Sequence, residues 1–217
     1  MSGIGKKEAG FTLVELMVSM VIAGIVMATI YSSYYSQQKA YVTQEQVSAM
    51  QQNLRSALFH LERDIRMAGY DPSGKAGAMI VAATAASFQF TKDDNNDLGE
   101  GEPDGDRFDA NENITYRFDA AQRSIRKDPG NQTIAENIDA LNLIYLDSDG
   151  APTANVNRIR SVRITLVART SRPDPGYSDP NVYKNLQGAT IFTPAGDNLS
   201  FRRKMLRVEI RCRNIGI

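Results

Sequence analysis

From Phe11 to Tyr31 the chain is apolar all round, and Glu15 is the only ionisable residue in the run. About 21 residues rise roughly 31 Å as an α-helix, the depth of a bilayer's hydrocarbon core. A secretory signal has a shorter apolar region, roughly 7–15 residues, and a small-x-small cleavage site, so this run reads as a membrane helix. Ser32, Ser33, Ser36, Gln37 and Gln38 end it, and a second pattern follows. Val47, Met50, Leu54, Leu58, Leu61, Ile65 and Ala68 recur at steps of three and four, one face of an amphipathic helix. Gly69 and Pro72 supply the stop, and Pro72 is the first proline. The pattern predicts one helix in two halves: a membrane half over residues 11–31 and an amphipathic half over residues 32–70.

Beyond residue 70 the period shortens to two. Strands are expected at Ala78–Ala82, Ser87–Thr91, Ile114–Phe118, Gln122–Arg126, Ile138–Leu146 and Val162–Arg169. In the last strand Leu206, Val208, Ile210 and Cys212 share one face, and Arg207, Glu209, Arg211 and Arg213 the other. Residues 71–217 therefore read as one β-rich domain, and the fold class as α+β, a long N-terminal helix packed on an antiparallel sheet. Two stretches break the pattern, an acidic one over residues 92–113 and a Pro, Gly, Asp and Asn-rich one over residues 172–198. Long irregular loops of this kind often carry function.

The 25 basic and 25 acidic residues balance, so overall charge gives no pull toward polyanions. A single cysteine, Cys212, excludes an internal disulfide, and its strand position places it in the core as a small hydrophobe. The one histidine, His60, lies in the amphipathic helix with no cysteine or second histidine beside it, which favours a structural role. No phosphate loop, zinc pattern or catalytic triad is visible, so enzyme activity is not expected.

The polar residues 1–10 carry Lys6 and Lys7 and end at the Gly10-Phe11 junction, followed by Thr12-Leu13-Val14-Glu15 and the charge-free span. This closely resembles the class III signal of type IV prepilins. The resemblance implies that a membrane-embedded prepilin peptidase removes residues 1–10 by cutting after Gly10 and methylates the Phe11 amine. It also implies that Glu15, fifth in the mature chain, guides assembly. A carboxylate four residues inside a membrane helix costs about 2.5–3.5 kcal/mol on insertion scales, which by itself calls for a partner. Mature residues 11–217 keep 23 basic against 24 acidic side chains. The chain departs from many major pilins, which have a C-terminal cysteine pair and a proline at the position of Ser32.

Leu54-Arg55-Ser56-Ala57-Leu58 and Leu61-Glu62-Arg63-Asp64-Ile65-Arg66-Met67-Ala68-Gly69-Tyr70 resemble the helix end of PilW-type minor pilins. The ending Arg211-Cys212-Arg213-Asn214 is similar to that family's close. The J-type minor pseudopilin of type II secretion shares the Leu-Glu-Arg-Asp-Ile-Arg pattern and is the alternative. The resemblance implies a filament subunit at or near the tip, one that primes assembly. It implies the prepilin peptidase, other major and minor pilins and the inner-membrane assembly platform as partners. It further implies a single-pass inner-membrane protein with a periplasmic domain that later enters an extracellular pilus. A structural subunit and a filament-displayed module for DNA or surfaces are the two function classes.

Two clusters are candidate binding sites. Asp93, Asn95 and Asp97 alternate as oxygen ligands do at the start of a calcium loop, with Asp104, Asp106 and Asp109 following. The glycine due sixth is Leu98, and Asp104 replaces the closing glutamate, so a solvated acidic loop is preferred over calcium, and no other cofactor is expected. Arg202, Arg203, Lys204, Arg207, Arg211 and Arg213 form a basic strip suited to phosphate. Glu209 interrupts it and no aromatics interleave it, so a solvated face or pilin–pilin contact is preferred over nucleic acid.

Overall fold

A computed structural model describes residues 10–95, 101–109 and 111–216. One helix, α1, runs from Leu13 to Met67. The chain packs as two units, residues 1–45 and 46–217. In the first, every described residue before Thr43 is exposed, so this stretch of α1 buries no face of its own.

In the second unit α1 turns amphipathic. Met50, Leu54, Ala57, Leu61 and Ile65 are buried, with Val47 and Leu58 packed at the edge, as the three-and-four spacing predicts. The helix stops at Gly69, which adopts φ +76° and gives its N–H to the Thr91 carbonyl at 2.9 Å. That left-handed φ strains any L side chain, and a Cβ there would also crowd the Ile215 side chain, so glycine is favoured. Asn214 Nδ2 caps the freed Arg66 carbonyl at 3.0 Å, tying the chain's end to the helix's end.

Among the described residues ten strands follow: β1 (Ile80–Ala83), β2 (Ser87–Thr91), β3 (Asn113–Asp119), β4 (Ser124–Asp128), β5 (Gln132–Ala135), β6 (Ile138–Leu146), β7 (Ser161–Arg169), β8 (Tyr183–Lys184), β9 (Thr190–Phe192) and β10 (Arg203–Arg211). β1 to β5 form an antiparallel meander, β6, β7 and β10 a second antiparallel sheet with β7 central, and β8 and β9 a small hairpin. Phe88, Phe90, Ile114, Tyr116 and Ile125 of the meander share a core with Leu143, Ile164, Leu166, Ile210 and Cys212 of the second sheet and with the apolar face of α1. Sheets with one covered face need this alternation of buried and open positions.

The amphipathic face contains one carboxylate, Asp64, placed there by its three-residue step from Leu61. It accepts hydrogen bonds from Tyr116 Oη and Lys127 Nζ, each at 2.7 Å, and so joins α1 to β3 and β4. Burial pushes its pKa up, but the hydrogen bonds from Lys127 and Tyr116 and the Lys127 charge outweigh that and hold it below the usual aspartate value. A depressed folded-state pKa stabilises above the unfolded value of about 3.9 and ceases to do so as pH falls through the folded value. Asp64→Asn is expected to cost about 1.5–3 kcal/mol at pH 7, the worth of hydrogen bonds to a charged group. Urea unfolding of the detergent-solubilised protein should show the gap to wild type closing below pH 4. A gap independent of pH would refute the charged staple.

Candidate functional site

Thr12 begins α1 as its N-cap. Its N–H and Oγ1 donate to Glu15 Oε2 at 2.9 and 2.8 Å, and the Glu15 N–H returns a bond to Thr12 Oγ1 at 3.3 Å. Thr12-x-x-Glu15 is thus a reciprocal capping box, which satisfies donors that a helix start otherwise leaves open. In the isolated chain the Glu15 carboxylate thus has Thr12 as a local partner, one that costs nothing in burial because both residues are exposed. Phe11 lies just outside the helix and is exposed, as is Gly10 before it, so the junction between them is open to a peptidase.

The helix surface after Glu15 is apolar on all sides. Leu16, Met17, Val21, Ile25, Val26 and Ile30 all stand exposed, and an 18-residue window has mean hydropathy 2.3. Ser19 Oγ and Thr29 Oγ1 return their hydroxyls to the Glu15 and Ile25 carbonyls at 2.7 and 2.9 Å, so neither adds an unmet polar group. Tyr31, Tyr34 and Tyr35 follow at once, amphipathic rings of the kind that sit at a membrane–water boundary. Such a surface is stable only in lipid or against other apolar helices.

The predicted basic strip divides. Arg207, Arg211 and Arg213 are exposed, as the strand parity requires. The Arg203 side chain, on the same face, is completely buried: its guanidinium meets Asp139 at 2.7 Å and Asp179 at 3.1 Å and stacks over Phe192. The reason is the stretch over residues 172–198, which folds back over this end of the sheet rather than looping free. Its β8–β9 hairpin packs Tyr183, Ile191 and Phe192 on Ala140, Val167 and Met205, a second small core on the sheet's outer face. Arg202 is likewise taken by Asp174 at 2.7 Å. Arg211 and Arg213 line an open groove of about 910 Å³ with Arg66 and Arg160, but Asp147 and Glu209 line it too, and Arg163 holds Glu209 at 2.8 Å. That mixture of signs gives a phosphate backbone no continuous track.

Cys212 is buried and unbonded among core residues, and burial pushes its thiol up to about 12, the opposite of a reactive cysteine. His60 is half-buried, edge-on to Phe59 at 5.9 Å. In the acidic stretch Asp93 is wholly buried and Asn95 half-buried, while Asp97 lies outside the described residues. Glu112, unnoticed in the sequence, is also wholly buried. Its carboxylate accepts the N–H groups of Asp94 at 2.9 Å, Asn95 at 3.2 Å and Asp109 at 3.4 Å, clamping both ends of the stretch together. The loop's tip is open to solvent, as a solvated loop would be, while its base at Asp93 and Glu112 is buried.

Residues 5–31 match the prokaryotic N-terminal methylation motif, and residues 113–214 match the type IV pilus-assembly protein W family. A type IV-like pilin from Thermus thermophilus has the same fold at TM-score 0.51 and 14% identity, over 76% of this chain and 96% of that one. No curated protein matches. The open apolar helix, its processing motif and the packed antiparallel sheets together define a membrane-anchored type IV pilin-like protein. Within that class it is a minor pilin of the PilW type, and its class works with other pilins and with the prepilin peptidase.

Proposed function

We propose that this minor pilin primes assembly of a type IV pilus and sits at or near the filament tip. The observation that carries the reading is the surface of α1 from Leu13 to Tyr31, exposed on every side and charged only at Glu15. After cleavage at Gly10–Phe11, that surface leaves the inner membrane by exchanging lipid for neighbouring helices, under the assembly platform. The β-rich domain stays periplasmic until the filament carries it out. The role is structural rather than catalytic: Cys212 is buried with a raised pKa, and His60 packs on Phe59. The PilW match through the strands favours a pilus over a secretion pseudopilus.

Mass spectrometry of sheared filaments tests this. A peptide beginning with methyl-Phe11 is expected, at a small fraction of the major subunit. Chain found only in the membrane fraction, or still carrying residues 1–10 in filaments, would refute the reading.

A further inference from the structure

Asp93 is completely buried, yet neither of its carboxylate oxygens has a hydrogen-bond partner among the described residues. A buried carboxylate without a partner is rare in folded proteins, because the group forfeits its hydration and gains nothing in return. Its surroundings make matters worse. Asp71, Asp104 and Asp106 bring further negative charge near it, and the Gly105 amide is the nearest donor. Of the cations nearby, Lys92 pairs with Asp94 and Arg107 bonds the Gly77 carbonyl, while Lys75 lays its stem against Gly105 and makes no ion pair among the described residues. No ion pair among the described residues reaches Asp71, Asp93, Asp104 or Asp106.

Opposite Asp93, the loop gathers three more carboxylates. One oxygen each from Asp104, Asp106 and Asp109 lies within 4.8 Å of the others. Oxygens that share one calcium ion at about 2.3–2.6 Å can be up to about 5.2 Å apart, so the trio fits around a single ion. Two turns set it: Asp104 Oδ1 accepts the Asp106 N–H at 3.1 Å, and Asp106 Oδ1 the Phe108 N–H at 2.9 Å. Asp93 faces this turn from the other end of the stretch, with the Gly105 amide beside its carboxylate and the Asp104 and Asp106 charges near it, and its N–H bonds the Tyr70 carbonyl at 2.7 Å, just past the end of α1.

We propose that Asp93, Asp104, Asp106 and Asp109 bind one calcium ion. An all-carboxylate set excludes soft metals, and carboxylates drawn from an irregular loop suit calcium's adaptable coordination better than the near-ideal octahedron that magnesium requires. The ion supplies the opposite charge that Asp93 lacks and fastens the tip of the acidic loop to the root of the helix. Glu112 is a positioning residue, binding loop amides rather than metal.

The test uses the full chain in detergent, stripped with chelator and titrated with calcium or magnesium chloride. Calorimetry is expected to give one calcium per chain. At a hundredfold excess over its dissociation constant, calcium multiplies the folding constant by about a hundred, a rise in Tm of about 5–10 °C. Magnesium at the same concentration should give less. Asp104→Asn with Asp106→Asn, at the open tip, should fold and lose the response. Asp93→Asn should lose it too, while melting in chelator at or above the wild-type temperature, because it removes an uncompensated charge. Asp149→Asn, on a distant turn, should respond as wild type. No calcium uptake and no change in Tm at millimolar calcium would overturn the proposal, as would an undiminished response in the Asp104/Asp106 variant.

Discussion

Glu15→Ala is expected to leave the chain in the membrane and correctly cleaved, and to lower its content in sheared filaments by at least about tenfold. In a bundle of apolar helices a carboxylate needs an opposite charge, and a buried pair broken from one side costs about 3–5 kcal/mol, more than two factors of ten. The Phe11 amine released by cleavage, on the same or a neighbouring subunit, is the cation at hand, since the nearest basic side chain on the mature helix is Lys39. The capping box supplies the control that a charge argument needs. Glutamine at position 15 can still close the box with Thr12, because that motif accepts Glu or Gln. Glu15→Gln should therefore keep the helix start and still fail to assemble. Thr12→Ala loses the cap at a cost of about 1 kcal/mol but keeps the charge, and should assemble at near wild-type levels. Comparison of membrane and filament fractions decides. Normal incorporation of Glu15→Gln would exclude the charge pair, and failure of Thr12→Ala alone would assign the effect to the cap.

Arg203→Met should be the most damaging single change in the domain, destabilising it by about 3–5 kcal/mol, with Tm lowered by about 10 °C. Arg203 is the cation shared by Asp139 and Asp179, and all three side chains are out of solvent. Asp139 would retain Arg123 at 3.4 Å and Arg169 at 3.7 Å, but Asp179 would be left to Tyr183 Oη at 2.8 Å and Asn181. The cost falls on the β8–β9 hairpin, since Asp179 and Tyr183 hold it to the sheet. Asp179→Asn added to Arg203→Met should recover part of the loss by removing the stranded charge, whereas independent effects would add. Proteolysis within residues 172–198 should rise in Arg203→Met at temperatures well below its melting point. An unchanged melting curve would mean that the buried network contributes no net stability.

The contrast between Arg203 and Arg207 shows where reading the chain alone stops. The two share a strand, a face and a charge, and strand parity treats them alike. Arg203 is buried only because residues 172–198 return across one end of the sheet, and that return depends on contacts distant in sequence. β5, β8 and β9 escaped notice for a related reason: at two to four residues they are too short for a period of two to register. Asp64 and Glu112 were hidden differently. A carboxylate on an apolar face violates the local pattern, and only the partners across the core, Tyr116 and Lys127 for one and the loop amides for the other, make it tolerable. Asp64 stands three residues after Leu61 and four before Ala68, so its spacing alone places it on the buried face.

What the chain alone determined is whatever repeats at short range. The membrane half of α1, the apolar face of its second half, the alternation of β6, β7 and β10 and the isolation of Glu15 all follow from periods of two or 3.6 residues and from hydropathy, which need no partner to be read. The capping box was also written locally, in Thr12-x-x-Glu15. Tertiary structure alone decided which charges went inside. Burying a carboxylate or guanidinium depends on finding its complement across the fold, and those complements lie tens of residues away: Asp64 with Lys127 and Arg203 with Asp139.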